Sequence, residues 1–219
     1  MNRVPTLLAV AFALTACESP GSASAPADIS LALYNAAKEE AEAFWEQVYR
    51  QKGLEYRPVA VFTPYSAPIA VPCGNTVLWD ARYCPQNEGI YFHRDLLSEL
   101  QREAGEVAAV LVVAHEVGHH ISNLRGLYIA LDAQLITLKE LELQADCYSG
   151  AWAASGPLLQ GSDPEGSARE LMALADERTD LRWLNAAIHG TSEQRVNAFL
   201  LGLNGGSSAC EDIFQFRVI

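Results

Sequence analysis

A chain of 219 residues with 50% hydrophobic and 19% charged side chains is long enough to bury a real core in one domain and too apolar to be disordered. Its formal net charge of −12 excludes the basic footprint that nucleic-acid binding needs, and it predicts repulsion from anionic lipid headgroups.

The chain opens on a short basic stretch, Met1-Asn2-Arg3, followed by an apolar run from Thr6 to Ala16. That run is too short to cross a bilayer, which takes about 20 residues. It ends in Leu14-Thr15-Ala16-Cys17, which resembles a bacterial lipobox. The reading is a lipoprotein signal peptide over 1–16, a lipidated Cys17 and a flexible tether over 17–28, rich in Ser, Ala, Pro and Gly. The competing reading is an ordinary signal peptide with an incidental Cys. Losing Arg3 with the leader takes the net charge to −13, so a lipid anchor rather than a basic patch would hold the protein at the membrane. The expected location is the bacterial cell envelope, outside the cytoplasm, with Glu18 rather than Asp after the Cys favouring the outer membrane.

The domain itself is expected over 29–219. Ile29 to Lys52 reads as a helix with an apolar stripe at Leu33, Ala37, Ala41, Phe44 and Val48, ended by Gly53. Arg57 to Phe62 reads as an edge strand between prolines. Thr76–Trp79 and Gly89–His93 are predicted to pair as a long-looped hairpin. Asp95 is the expected cap of a helix that Gly105 breaks, and a second helix follows from Glu106 to Asn123. Leu124 to Gln134 is read as helical, as are Thr137 to Trp152, a segment opened by Asp163-Pro164, and Asp180 to Ile188. Thr191 and Gln194 form a capping box for a last helix, closed by Gly205-Gly206 and followed by an irregular tail. The class is α+β, rich in helix, with a small sheet.

The chemistry sits in His115-Glu116-Val117-Gly118-His119, with Glu142-Leu143-Gln144-Ala145-Asp146 beginning 23 residues past His119. Residues four apart share a helix face, so His115 and His119 can aim ring nitrogens at one ion. Glu116 lies about 100° round the helix, where its carboxylate reaches a water without ligating the metal. The motif ends the run Val107–Ala114, apolar on every side, as in a buried helix. Buried imidazoles and carboxylates need partners, and a metal supplies them. Glu142 is the expected third ligand, and Asp146, on the same face, the acceptor of a ligand histidine's second N–H. Gly118 is expected to let another element close to the helix. The N/O donor set suits one Zn2+ per chain.

Setting Cys17 aside, the five cysteines leave Cys73, Cys84, Cys147 and Cys210, an even number that suggests disulfides in an oxidising compartment. Three pairings are possible. Cys73–Cys84 would close a loop flanked by Gly and Pro, and Cys147–Cys210 would tie the Glu142 helix to the C-terminal tail; these are favoured.

The blocks HEVGHH, ELQADC and His189-Gly190-Thr191-Ser192-Glu193-Gln194-Arg195 resemble the signature segments of the bacterial neutral zinc metallopeptidases, within the gluzincin layout. The resemblance runs from about Cys73 to the C-terminus. It implies a zincin-like metallopeptidase fold with its H-E-x-x-H active-site helix, one zinc, hydrolysis of peptide bonds in a peptide or protein substrate, Glu142 as ligand in preference to Glu140, and the same two cysteine pairs. This chain departs at its N-terminus, where family members often carry a membrane-spanning helix.

Other residues are weighed singly. His120, next to His119 on the helix, is read not as a ligand but as a packing residue or one that supports a ligand from behind. His93 is read as a strand histidine, although zincins often bind substrate by strand addition to the strand before the active-site helix. His189 is either an oxyanion-stabilising catalytic residue or a structural cap on the last helix. Arg195 pairs with a site carboxylate or, the preferred reading, is a solvated helix residue. The expected mechanism has Glu116 as general base for a metal-activated water. The rivals are a non-catalytic envelope binding module and a zinc amidase acting on the cell wall.

Overall fold

The computed structural model describes residues 26–178 and 180–211; the expected leader, the expected lipidation site Cys17 and most of the expected tether lie outside them. The first helix, α1 (Pro26–Gln51), starts on a proline, whose fixed φ suits a first turn. Tyr34, Ala37, Ala41, Trp45 and Tyr49 form its buried face. The face is thus turned from the predicted stripe, whose Leu33, Phe44 and Val48 pack along its margin, because the larger aromatic rings take the centre. Gly53 ends the helix in a left-handed conformation, with the Leu54 N–H donating to the Tyr49 carbonyl.

The main sheet has three strands in the order β1–β5–β4: β1 (Val61–Tyr65), β4 (Ala81–Cys84) and β5 (Gly89–His93). β5 is central, parallel to β1 and antiparallel to β4, and all five of its residues are buried. β1 is an edge strand, as predicted, but starts four residues later than expected. A two-residue hairpin, β2 (Ala70–Val71) with β3 (Gly74–Asn75), stands beside the sheet. Thr76–Trp79 is not a strand. Trp79 is left-handed at φ 58° and the Tyr65 hydroxyl donates to the Val77 carbonyl at 2.6 Å, so this segment turns the chain into β4. The hairpin partner of β5 is therefore Ala81–Cys84.

The long helix α2 (Arg94–Leu124) follows β5 directly and is broken at Gly105, with φ 85° and ψ 172°. His93, not Asp95, is its N-cap; Asp95 lies in the first turn, where its charge still complements the helix dipole. Every residue from Ala108 to Ser122 is buried, so the motif helix forms the centre of the molecule. Then come α3 (Leu127–Asp132), α4 (Leu138–Ala153), α5 (Pro164–Glu177), α6 (Ala186–His189) and α7 (Ser192–Glu211). The predicted helix over 180–188 is interrupted: a 3-10 turn, Arg182–Leu184, gives way at Asn185, whose side chain accepts from the Ala187 N–H and starts α6. Gly206 breaks α7 without ending it, so the expected irregular tail is helical as far as Glu211.

α4 lies between α2 and α7 with backbones nearly touching. A Cβ at Gly202 would stand 1.8 Å from the Cys147 carbonyl oxygen, and one at Gly150 2.0 Å from that of Phe199, so larger residues there would force the helices apart. The Cys147–Cys210 disulfide, with Cα atoms 5.6 Å apart, fastens the same pair; Cys73–Cys84 ties the small hairpin to the end of β4.

Candidate metal centre

Two helices bring the chemistry together. α2 presents His115, Glu116 and His119 near its C-terminal end. α4 begins at a capping box, in which the Thr137 N–H donates to Glu140 Oε2 at 2.7 Å and the Glu140 N–H to Thr137 Oγ1 at 3.3 Å. That box occupies Glu140 and leaves Glu142 and Asp146, four apart, on the face turned to α2. Gly118 allows the approach: a Cβ there would lie 2.9 Å from the Ala145 carbonyl oxygen.

Three imidazoles converge on one carboxylate oxygen. Glu142 Oε2 lies 3.3 Å from His115 Nε2, 3.1 Å from His119 Nε2 and 3.4 Å from His189 Nε2. Ligands held tetrahedrally at zinc–nitrogen and zinc–oxygen distances of about 2.0–2.1 Å stand roughly 3.3 Å from one another. Each imidazole nitrogen therefore stands from Glu142 Oε2 at the separation expected between two zinc ligands, and the donor types fit the metal. His115, Glu142 and His189 are all buried and have ligand atoms within 4.8 Å of one another.

The tautomers fit as well. The His115 Nδ1–H donates to Asp146 Oδ1 at 2.8 Å, which leaves the Nε2 lone pair for an ion. His189 ends α6, and its Nδ1–H donates to the Asn185 carbonyl at 3.3 Å, so its Nε2 also offers a lone pair. The cap of α7 is Thr191, paired with Gln194, and not His189.

The wall behind these residues overturns the preferred reading of Arg195 and matches the alternative, pairing with a site carboxylate. Arg195 is fully buried, not solvated. It donates from Nε to Asp146 Oδ2 at 2.8 Å and from Nη2 to Oδ1 at 2.9 Å, and from Nη1 to the Trp183 carbonyl at 3.3 Å. Its guanidinium lies 4.3 Å from the centre of the Trp183 ring. Trp183 in turn donates its indole N–H to Glu116 Oε1 at 3.0 Å, while Glu116 Oε2, also buried, has no hydrogen-bond partner among the described residues. Arg195 stood in the third sequence block, a signal that was available; Trp183 carried none, since a lone Trp reads as core.

Burial sets the protonation states. It raises the Glu116 carboxyl against the pull of His115 and His119. Burial also opposes charge on His115, but Asp146 and Glu142 outweigh it and lift that imidazole to about 9. Asp146 is itself held at about 2, burial being overcome by Arg195 and His115. His189 is driven down to about 4 by burial, so it is neutral at pH 7.

His120 points away: its Nε2–H donates to the Arg57 carbonyl at 2.6 Å, and its Nδ1 accepts from Tyr83 at 3.0 Å. His93 is buried between the rings of Tyr65 and Trp79 and does not line the site. Nor does its strand offer an edge, since β5 is paired on both sides. The strand that borders the site is β4. Asp80, Arg82 and Tyr83 line one side of a cleft of about 200 Å3, with Glu116, His119, Glu142 and His189 at its base and Tyr128, Leu138 and Arg182 at its rim. A larger surface hollow of about 530 Å3, beside Pro157 and Leu203, has no titratable side chain in its lining.

Residues 12–214 match the family described as "Putative neutral zinc metallopeptidase". The chain belongs to that family. Among curated relatives of this chain are Uncharacterized protein YpfJ of Escherichia coli K12, 29% identical over 187 residues that cover 75% of this chain, and Uncharacterized protein Rv2575 of Mycobacterium tuberculosis H37Rv, 29% identical over 159 residues that cover 61% of it. The aligned stretch spans 64% of the first relative's length and 54% of the second's. No solved structure matches the chain.

Proposed function

We propose that this metallopeptidase-family protein hydrolyses peptide bonds in a peptide or protein substrate, with one zinc held by His115, His119 and Glu142. The observation that carries the reading is Glu116 Oε2, a buried carboxylate oxygen left without a partner beside three converging ligand atoms. Bound zinc would supply Lewis acidity, lowering the pKa of water towards about 7 and polarising the scissile carbonyl.

The chain's own residues do the rest. Asp146 fixes the ligand tautomer of His115. Glu116 Oε2 takes a proton from the attacking water as the oxygen bonds to the carbonyl carbon, then gives it to the departing amine nitrogen as the C–N bond breaks. Burial, which raises its pKa, suits Glu116 to holding that proton between the two steps. β4 ends the strand order of the sheet, and its Ala81, Arg82 and Tyr83 line the cleft, which supports pairing of an extended peptide substrate along it. His189, with its proton on Nδ1, stands as a further donor to the metal; an oxyanion role would need that proton moved to Nε2.

Glu116→Gln should retain one zinc per chain by elemental analysis while peptide hydrolysis falls by about 10²–10⁴-fold; His115→Ala should lose the metal as well. Hydrolysis undiminished in Glu116→Gln would sink the mechanism. Lipidation of Cys17 in an envelope protein belongs to the same proposal, supported by the Leu14–Cys17 pattern. Labelled palmitate should enter the protein in cells and not its Cys17→Ser variant.

A further inference from the structure

We propose that Trp183 is a positioning residue that selects which oxygen of Glu116 carries the proton. Three observations bear on it. The indole N–H is bonded to Oε1 at 3.0 Å, and Oε2 is left free in the same buried carboxylate. A carboxylate with one oxygen pinned cannot rotate to exchange its two oxygens without breaking a charge-assisted hydrogen bond. Trp183 is itself immobilised: its ring lies under the Arg195 guanidinium at 4.3 Å and edge-on to His115 at 5.2 Å, and its carbonyl accepts from Arg195. Arg195 also grips Asp146, which grips His115. One guanidinium thereby sets the base and a metal ligand from the same anchor. Glu116 and His115 are thus joined through Trp183, Arg195 and Asp146 by four hydrogen-bonded links.

A donor on Glu116 would ordinarily weaken a base, since it stabilises the anion. Here the hydrogen bond falls on the oxygen that does not take the proton. Its effect is geometric, holding Oε2 toward the cleft in which the water must stand.

The test uses the full chain and has two arms. The kinetic arm rests on the peptidase reading; the spectroscopic arm does not. In ¹⁵N-labelled, metal-free protein, the indole N–H signal of Trp183 is assigned by its loss in Trp183→Phe; the other three tryptophans, Trp45, Trp79 and Trp152, remain as references. That signal should move upfield in Glu116→Gln and further in Glu116→Ala, with the references fixed. In zinc-loaded Trp183→Phe, which keeps a ring against Arg195, kcat should fall about 10- to 100-fold with KM and zinc affinity unchanged. An indole signal unmoved by either Glu116 variant overturns the proposal. So does an undiminished kcat, or a loss of zinc affinity as large as the loss of kcat, which would mean that Trp183 acts through the ligands. If the zinc-loaded wild type hydrolyses no peptide, the peptidase reading fails, and the indole signal alone decides whether Trp183 holds Glu116.

Discussion

The two sides of the cleft are built differently. Behind the ligands, Asp146 and Arg195 are 2% and 0% exposed and every one of their charged atoms has a partner. In front, Leu138 in the cleft lining is 45% exposed, and α3, which brings Tyr128 to the same lining, has no buried residue. The rear wall can hold atoms to a fraction of an ångström because each is bonded and none meets water. The rim has apolar surface and little packing, which leaves it free to meet substrate. On the proposed function, chemistry is specified behind the ligand residues, and selection of what enters is left to the front.

Breaking the rear wall should have the largest effect. Arg195→Leu leaves the Asp146 carboxylate buried and unpaired and should cost about 3–5 kcal/mol of stability, seen as a fall of roughly 10 °C in Tm. A Tm within a degree or two of wild type would show that the wall does not depend on the guanidinium.

The next effect is a pH dependence confined to the metal-free protein. The His115 pKa is raised to about 9 from an ordinary 6.5, so its stabilising contribution is complete below about pH 6.5 and is lost as pH rises through 9. The amount is on the order of 3 kcal/mol. Zinc must displace that proton, so zinc affinity should rise with pH over the same interval, with proton release on binding. Calorimetry in buffers of different ionisation enthalpy checks the release, and thermal melts with and without zinc check the stability. Equal pH profiles for the two forms would remove the His115–Asp146 pair from the account.

The smallest effect on stability should come from the rim. Leu138→Ser, in the cleft lining and half-exposed, should change stability by no more than about 1 kcal/mol while raising KM for peptides with apolar side chains and leaving kcat alone. A stability loss like that of Arg195→Leu would mean that the rim is core after all, and the contrast would collapse.

The site was legible wherever spacing along one helix carried the information. His115 and His119, and Glu142 and Asp146, are each four apart, and the helical period alone puts each pair on one face. Cap chemistry was equally local: Thr137 and Glu140, Asp163 with Pro164, and Thr191 with Gln194 all stand at helix starts. The strand reading failed where composition and register part. Thr76–Trp79 has strand-forming residues, but its pairing was decided by a left-handed Trp79 and a hydroxyl from Tyr65. Likewise the rings of Tyr34, Trp45 and Tyr49 joined Ala37 and Ala41 in the core, while Leu33, Phe44 and Val48 of the predicted stripe pack at its margin.

By itself the sequence determined the reactive helix, its partner helix and the residue types that meet a metal, because these follow from periods of 3.6 residues and from the chemistry of nitrogen and oxygen donors. Only the tertiary structure decided that His189 turns its Nε2 toward Glu142, that Arg195 is buried against Asp146, and that Trp183 holds Glu116. Those contacts join residues 47, 49 and 67 positions apart. No local period reaches that far, and a buried arginine is written with the same letter as a solvated one.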